Sequence, residues 1–161
     1  MHAPHSLKQL VRAAMLLAFG LPLAGRADLS SYAFVQDDGT LRIDGKDVRL
    51  YGIHIPTTAQ DCRTWERPVQ CAPRAALALG FKTQQSFVHC EEKGRDADGT
   101  IIGLCRVNRG SFSAGEDLSA YMLEYGWALA LPDAPFEYQA LEKIARHRGI
   151  GVWGIPVGKP R

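Results

Sequence analysis

Apolar and polar positions alternate along the first stretch that reads as a fold. In "SYAFVQDDGTLRIDGKDVRLYGI", Leu41 and Ile43 fall on one face of a strand, and Val48 and Leu50 share a face of the next. Asp44-Gly45 between them suits the positive φ angles of a type I′ turn, which predicts a hairpin. An Asp-Gly interruption at Asp38-Gly39 separates that hairpin from the preceding strand, and Gly52 is placed to form a bulge that re-aims His54. The pattern then becomes an Ala/Leu-rich run, about Pro73 to Lys82, which predicts a helix with Pro73 in its first turn. A second hairpin follows from Phe87 to Val107, with "RDADGT" at its turn. Ser113 and Glu116 have capping-box spacing, Leu118, Tyr121, Met122 and Tyr125 recur at helical spacing, and Gly126 ends the run. "WALAL" is a short apolar strand candidate. A last helix starts near Pro135, sets Tyr138, Leu141, Ile144 and Arg148 close to one stripe, places Arg146 and Arg148 in its final turn, and stops at Gly149. Short strands, a helix, more strands and then helices predict a mainly β, α+β domain. The leading candidate is an OB-fold five-stranded barrel with about three helices outside it, one of them between the third and fourth strands.

The first 27 residues do not belong to this pattern. A basic front (Lys8, Arg12) precedes an apolar run from Ala13 to Leu23, and Gly25 and Ala27 supply the small residues a signal peptidase reads. Residues 1–27 are therefore expected to be a secretory signal peptide cleaved after Ala27, which predicts a periplasmic or secreted protein. The apolar run is too short for a transmembrane helix, and no later segment is long enough, so no membrane span is expected after cleavage. Cleavage also changes the charge. The whole chain has 19 Lys+Arg and 17 Asp+Glu, and the leader holds three of the basic residues (Lys8, Arg12, Arg26) and none of the acids, leaving net −1. A broad basic footprint for nucleic acid is thereby excluded, though a local groove is not. Residues 28–161 suffice for one domain with its core at about 35–154, and the Gly/Pro-rich tail 155–161 is expected to be flexible.

Four cysteines, Cys62, Cys71, Cys90 and Cys105, follow the leader. An even count in an exported chain favours disulfides, with three pairings possible. Sequence spacing favours Cys62–Cys71 as a loop clip. Cys90 and Cys105 lie equally far from the midpoint Ala97/Asp98 of the second hairpin, so they should face each other across it, within the reach of a disulfide. A zinc site including His89 lacks the tight Cys-x-x-Cys spacing such sites use.

The segments "DDGTLRIDGKDVRLYGI", "QCAPRAALAL", "VHCEEKGRDADGTIIGLCRV", "EDLSAYMLEYGWALA" and "ARHRGIGVWG" follow one another in a telling order and spacing. In this they resemble the staphylococcal nuclease-like (thermonuclease, TNase-like) family, from about Val35 to Gly154. Enzymes of that family cut nucleic acid with one calcium ion. Carboxylates hold the metal, a glutamate activates or positions water, and two arginines hold the phosphate and its developing charge. The resemblance carries over unevenly. Asp37-Asp38-Gly39-Thr40 stands where the family has D-G-D-T, so the second, metal-binding aspartate falls on Gly39. Arg49 matches the first arginine. His54 and Thr57 take the places of the aspartate and glutamate of D-A/T-P-E, and Thr100 takes that of the second arginine. A neutral imidazole is a poor calcium ligand, and threonine cannot act as a carboxylate base. The resemblance thus implies that the barrel is kept while calcium-dependent cleavage is lost.

Arg49 is the one retained catalytic position. It either grips a phosphate or carboxylate, or pairs with an acid of its own chain. Asp37, Asp38, His54 and Trp65 are the binding candidates. Asp38 is displaced by one residue from the lost ligand, which in a strand turns it to the other face, unless a tight turn re-aims it. His54 is a loop histidine or, with His89 or His147, a metal ligand. Asp96 and Asp98 either form a small acidic site or, as expected for an Asp-Gly turn, are solvated turn residues. Trp127 and Trp153 follow helix ends and are expected to seal the barrel, whereas Trp65 lies in the loop between Cys62 and Cys71. The function expected is an exported, catalytically inactive domain (a pseudoenzyme) acting as a binding or assembly module. Its partner is an unknown protein or polymer, nucleic acid is not favoured, and no cofactor is expected. The alternative is a metal-dependent phosphodiesterase rebuilt around Asp37, Asp38, Arg49 and His54, for which calcium would be the cofactor. A third reading, a metal carrier using His54 and the cysteines, predicts free thiols.

Overall fold

The computed structural model describes residues 28–56 and 71–154, the side chains of residues 71–73 excepted. The leader, Thr57, the Cys62–Cys71 clip, Trp65 and the tail 155–161 lie outside the described residues.

The first strand is interrupted at Tyr32 into β1 (Leu29–Ser31) and β2 (Ala33–Val35). β1 pairs antiparallel with β6 (Val88–Arg95), and β2 with β3 (Leu41–Ile43). β3 returns as β4 (Lys46–Leu50), and β6 returns as β7 (Ile101–Val107). β4 and β7 run parallel, with Val48 opposite Ile101 and Leu50 opposite Gly103. The order β1-β6-β7-β4-β3-β2 therefore begins and ends on neighbouring pieces of one interrupted strand, and this nearly closes the sheet into a barrel. β8 (Glu116–Asp117) adds to β7, while β5 (Ile53–His54) and β9 (Leu129–Ala130) form a separate two-stranded ladder. Among the described residues there are three α-helices: α1 (Cys71–Thr83) packs on β2, α2 (Leu118–Glu124) on β7, and α3 (Phe136–Arg148) on α2 and β9. This is the barrel-like α+β class expected from the sequence, with α1 between the third and fourth principal strands and with β1 and β8 as short additions to the sheet.

Alternation explains the core. Leu41, Ile43 and Val48 are fully buried and Leu50 nearly so, and the turn joining their strands has Asp44 at φ 48° and Gly45 at φ 75°. Val88 and Val107 meet them from the second hairpin, Leu79 from α1, and Leu118, Met122 and Leu123 from α2. Cys90 stands opposite Cys105 with Cα atoms 4.0 Å apart, and the two are joined as a disulfide. A side chain at Gly103 would meet Val48 Cγ1 at 2.8 Å and Cys105 Sγ at 3.3 Å, so the bridge packs against β4 only because residue 103 has none.

Two helix details differ from the sequence reading. α2 is capped by Asp117, not Ser113: the Asp117 carboxylate accepts from the Ser119 amide at 2.8 Å and the Ala120 amide at 3.2 Å. Glu116 and Asp117 are held extended by pairing with β7, so the helix cannot begin earlier. In α3 the inward positions are Tyr138 and Ala145, with Leu141 half-buried, and Ile144 is exposed. Among the described residues, no helix is long and apolar enough to cross a membrane.

Candidate functional site

The parallel pairing of β4 with β7 sets the chemistry of the barrel surface. Ile101, the first residue after the β6–β7 turn, lies opposite Val48. The turn before it is thereby brought to the start of β4, within reach of the Arg49 side chain. Arg49 donates through Nη1 to Asp96 Oδ2, and through Nη2 to Asp98 Oδ2 at 3.3 Å. Asp96 and Asp98 are thus partners of Arg49 rather than merely solvated. Partial burial opposes the charge on Arg49, but the hydrogen bond to Asp96 and the charges of Asp98, Asp96 and Asp38 outweigh it and hold the guanidinium protonated. Hydrogen bonds from Thr100, and then the charge of Arg49, hold the Asp98 carboxyl below the usual carboxylate range.

The Asp38-Gly39 turn supplies the opposite wall. The Asp38 carboxylate is turned onto Thr40, accepting from its amide and its hydroxyl, both at 2.9 Å. Gly39 has φ 83°, and Ile55 Cδ1 lies 2.3 Å from where its Cβ would stand. A pocket of about 390 Å³ gathers Asp38, Arg49, His54, Ile55 and Asp96 over a floor that includes Leu50 and Ile53. His54 is exposed, and its backbone is fixed by pairing with Leu129 in the β5–β9 ladder. Asp37 is not part of this pocket; it lines a separate groove against α1.

These residues do not fit a calcium ion. Calcium takes six to eight oxygen ligands. Residue 39 offers no side-chain oxygen, Ile55 fills the space beyond it, and the Asp38 carboxylate is turned onto Thr40. Among the described residues, no three His, Cys, Asp or Glu side chains are grouped so as to hold a metal ion. Adding an acid at residue 39 will not change this. Gly39→Asp should lower stability by about 1–2 kcal/mol, because it forces a side chain into a left-handed backbone and against Ile55. Thermal unfolding of that variant with and without calcium should give the same midpoint.

What the pocket can do is exchange. Arg49 is held by two half-exposed carboxylates of its own chain, and such exposed pairs are worth only about 0–1 kcal/mol each. A ligand carboxylate or phosphate can therefore displace them at modest cost. The sequence reading placed Arg49, Asp38 and His54 in one region, and the pocket brings them together. It gave no role to Ile55, and it did not join Asp96 and Asp98 to Arg49. Only the parallel register of β4 and β7 reveals the acidic pair, and Ile55 shows itself only as a bulky side chain lying against a glycine.

Compared with models of known protein families and with curated proteins, the chain matches none.

Proposed function

We propose that this chain is an exported staphylococcal nuclease-like domain whose calcium-dependent cleavage site has been replaced, and that it acts as a binding or assembly module through the pocket around Arg49. The observation that carries this reading is the contact between Gly39 and Ile55. Where a metal-binding carboxylate would project, a glycine stands and an isoleucine methyl group fills the space. The barrel-like α+β fold with a helix between its third and fourth principal strands supports the family reading. The Cys90–Cys105 disulfide is compatible with an oxidising compartment, which supports export. Removing one good electrostatic contact from such a site lowers rate by about a hundred- to a thousandfold, so loss of metal ligands and base together should leave no measurable cleavage. The partner is a protein or polymer offering a carboxylate or other anionic group to Arg49.

Digestion of plasmid and single-stranded DNA, with calcium, then zinc or manganese, then chelator, tests this. No chelator-sensitive cutting is expected. Cutting that survives stringent purification, responds to chelator and disappears in Arg49→Ala would overturn the reading in favour of a rebuilt phosphodiesterase. That variant is a usable control, because loss of the exposed pairs should change stability by less than about 1 kcal/mol.

A further inference from the structure

The outward face of α1 inverts the usual pattern of a surface helix. Ala75, Leu79 and Thr83 recur every fourth residue against the barrel and are buried. On the other side Arg74, Leu77, Phe81 and Gln84 form an exposed stripe. Leu77 is 61% exposed and Phe81 is 70% exposed. Phe34 of β2, 72% exposed, stands with them around a groove of about 510 Å³ whose rim includes Asp37. Beside Phe34 along the chain, Tyr32 stacks on Phe87 with ring centroids 4.4 Å apart, and both rings remain more than half exposed. None of the groove's residues lines the pocket around Arg49. Exposed apolar residues gathered around one groove mark an interface rather than a solvated surface.

We propose that this groove is the contact between two copies of the chain. A two-fold contact is self-complementary, so each copy must offer both a ridge and a recess. Leu77 and Phe81 form the ridge, and the space between α1 and β2 forms the recess. The charges are complementary as well. Asp37 and Arg74 have no ion-pair partner among the described residues, and Arg74 stands one turn before Leu77 on the same stripe. In the pair, Arg74 of each copy meets Asp37 of the other. The area reaches what a weak dimer needs when the contact extends from the groove over Tyr32 and Phe87. The five exposed apolar residues present roughly 600 Å² per copy, and about 1,200 Å² across two copies is the low end of specific interfaces.

Analytical ultracentrifugation of the protein produced from the full-length chain in an exporting host provides the test. The mass should rise from monomer toward dimer with a midpoint on the order of 10–100 µM, as befits an interface this small. Phe81→Asp and Leu77→Asp should each raise that midpoint by about tenfold or more and leave the melting temperature unchanged, since both side chains are already exposed. Asp37→Arg alone should weaken association, and Asp37→Arg combined with Arg74→Asp should restore it. A monomer at every concentration overturns the proposal. So does association that survives Phe81→Asp, or a charge swap that fails to restore it. Capture of a different protein by a chain that stays monomeric overturns it as well.

Discussion

Replacing Asp117 with alanine will lower the free energy of unfolding by about 3 kcal/mol. One carboxylate here serves three elements. It belongs to β8, it caps α2 through the amides of Ser119 and Ala120, and it accepts the hydroxyl of Tyr138 from α3 at 2.6 Å. Loss of a cap costs about 1 kcal/mol, and the buried phenol left without a partner adds roughly 1–3 kcal/mol. Urea unfolding at neutral pH measures the sum. The same contact should appear at high pH. Burial first, and then the hydrogen bond to Asp117 and its charge, push the Tyr138 phenol well above its ordinary value. The folded chain therefore keeps a proton that the unfolded chain has released. The contribution is complete below about pH 10, the unfolded value, and declines as pH rises toward the folded one. Tyr138→Phe should flatten that alkaline decline, leaving the smaller share due to Tyr121, whose phenol is also raised by burial. An unchanged alkaline slope in Tyr138→Phe would contradict this account.

The second large effect belongs to the disulfide. Cys90→Ala with Cys105→Ala should lower stability by about 3 kcal/mol, the value expected for closing a loop of this length, since the bridged residues are 15 apart in sequence. Both residues are buried, so the double variant also loses packing against Val48 across Gly103. Guanidinium unfolding of the oxidised wild type and the double variant makes the comparison, and coincident midpoints would refute it. The second hairpin should keep its register in the variant, because the ladder from Val88–Val107 to Arg95–Ile101 remains.

The parts of this fold that could be read in advance are those governed by near neighbours. Leu41 with Ile43 and Val48 with Leu50 announce their buried faces by alternation, and Asp44-Gly45 announces its turn. Cys90 and Cys105 announce their pairing because a hairpin's symmetry is written in its own sequence. The rest depends on distant partners. The interruption at Tyr32 is invisible until one half of the strand is seen to pair with β6 and the other with β3. The capping-box spacing at Ser113 is real but loses to β8, which holds Glu116 and Asp117 extended. Ile144 fits a helical stripe on paper, yet the tilt of α3 turns Tyr138 and Ala145 inward instead. The site follows the same division. Arg49 was legible as a candidate cation, but its partners were not, because they arrive from a turn whose position depends on the parallel register of β4 and β7.

That parallel register has a consequence for how the molecule comes to exist. β4 ends at Leu50, and its partner β7 begins only at Ile101. A chain that emerges N-terminus first completes its first meander while both flanking strands still lack neighbours. Unpaired edges are adhesive, and contacts spanning so much sequence form slowly. Those edges are covered only when residues 88–107 arrive, β6 pairing with β1 on one flank and β7 with β4 on the other. A chain truncated before Val88 lacks the strands that cover both edges here.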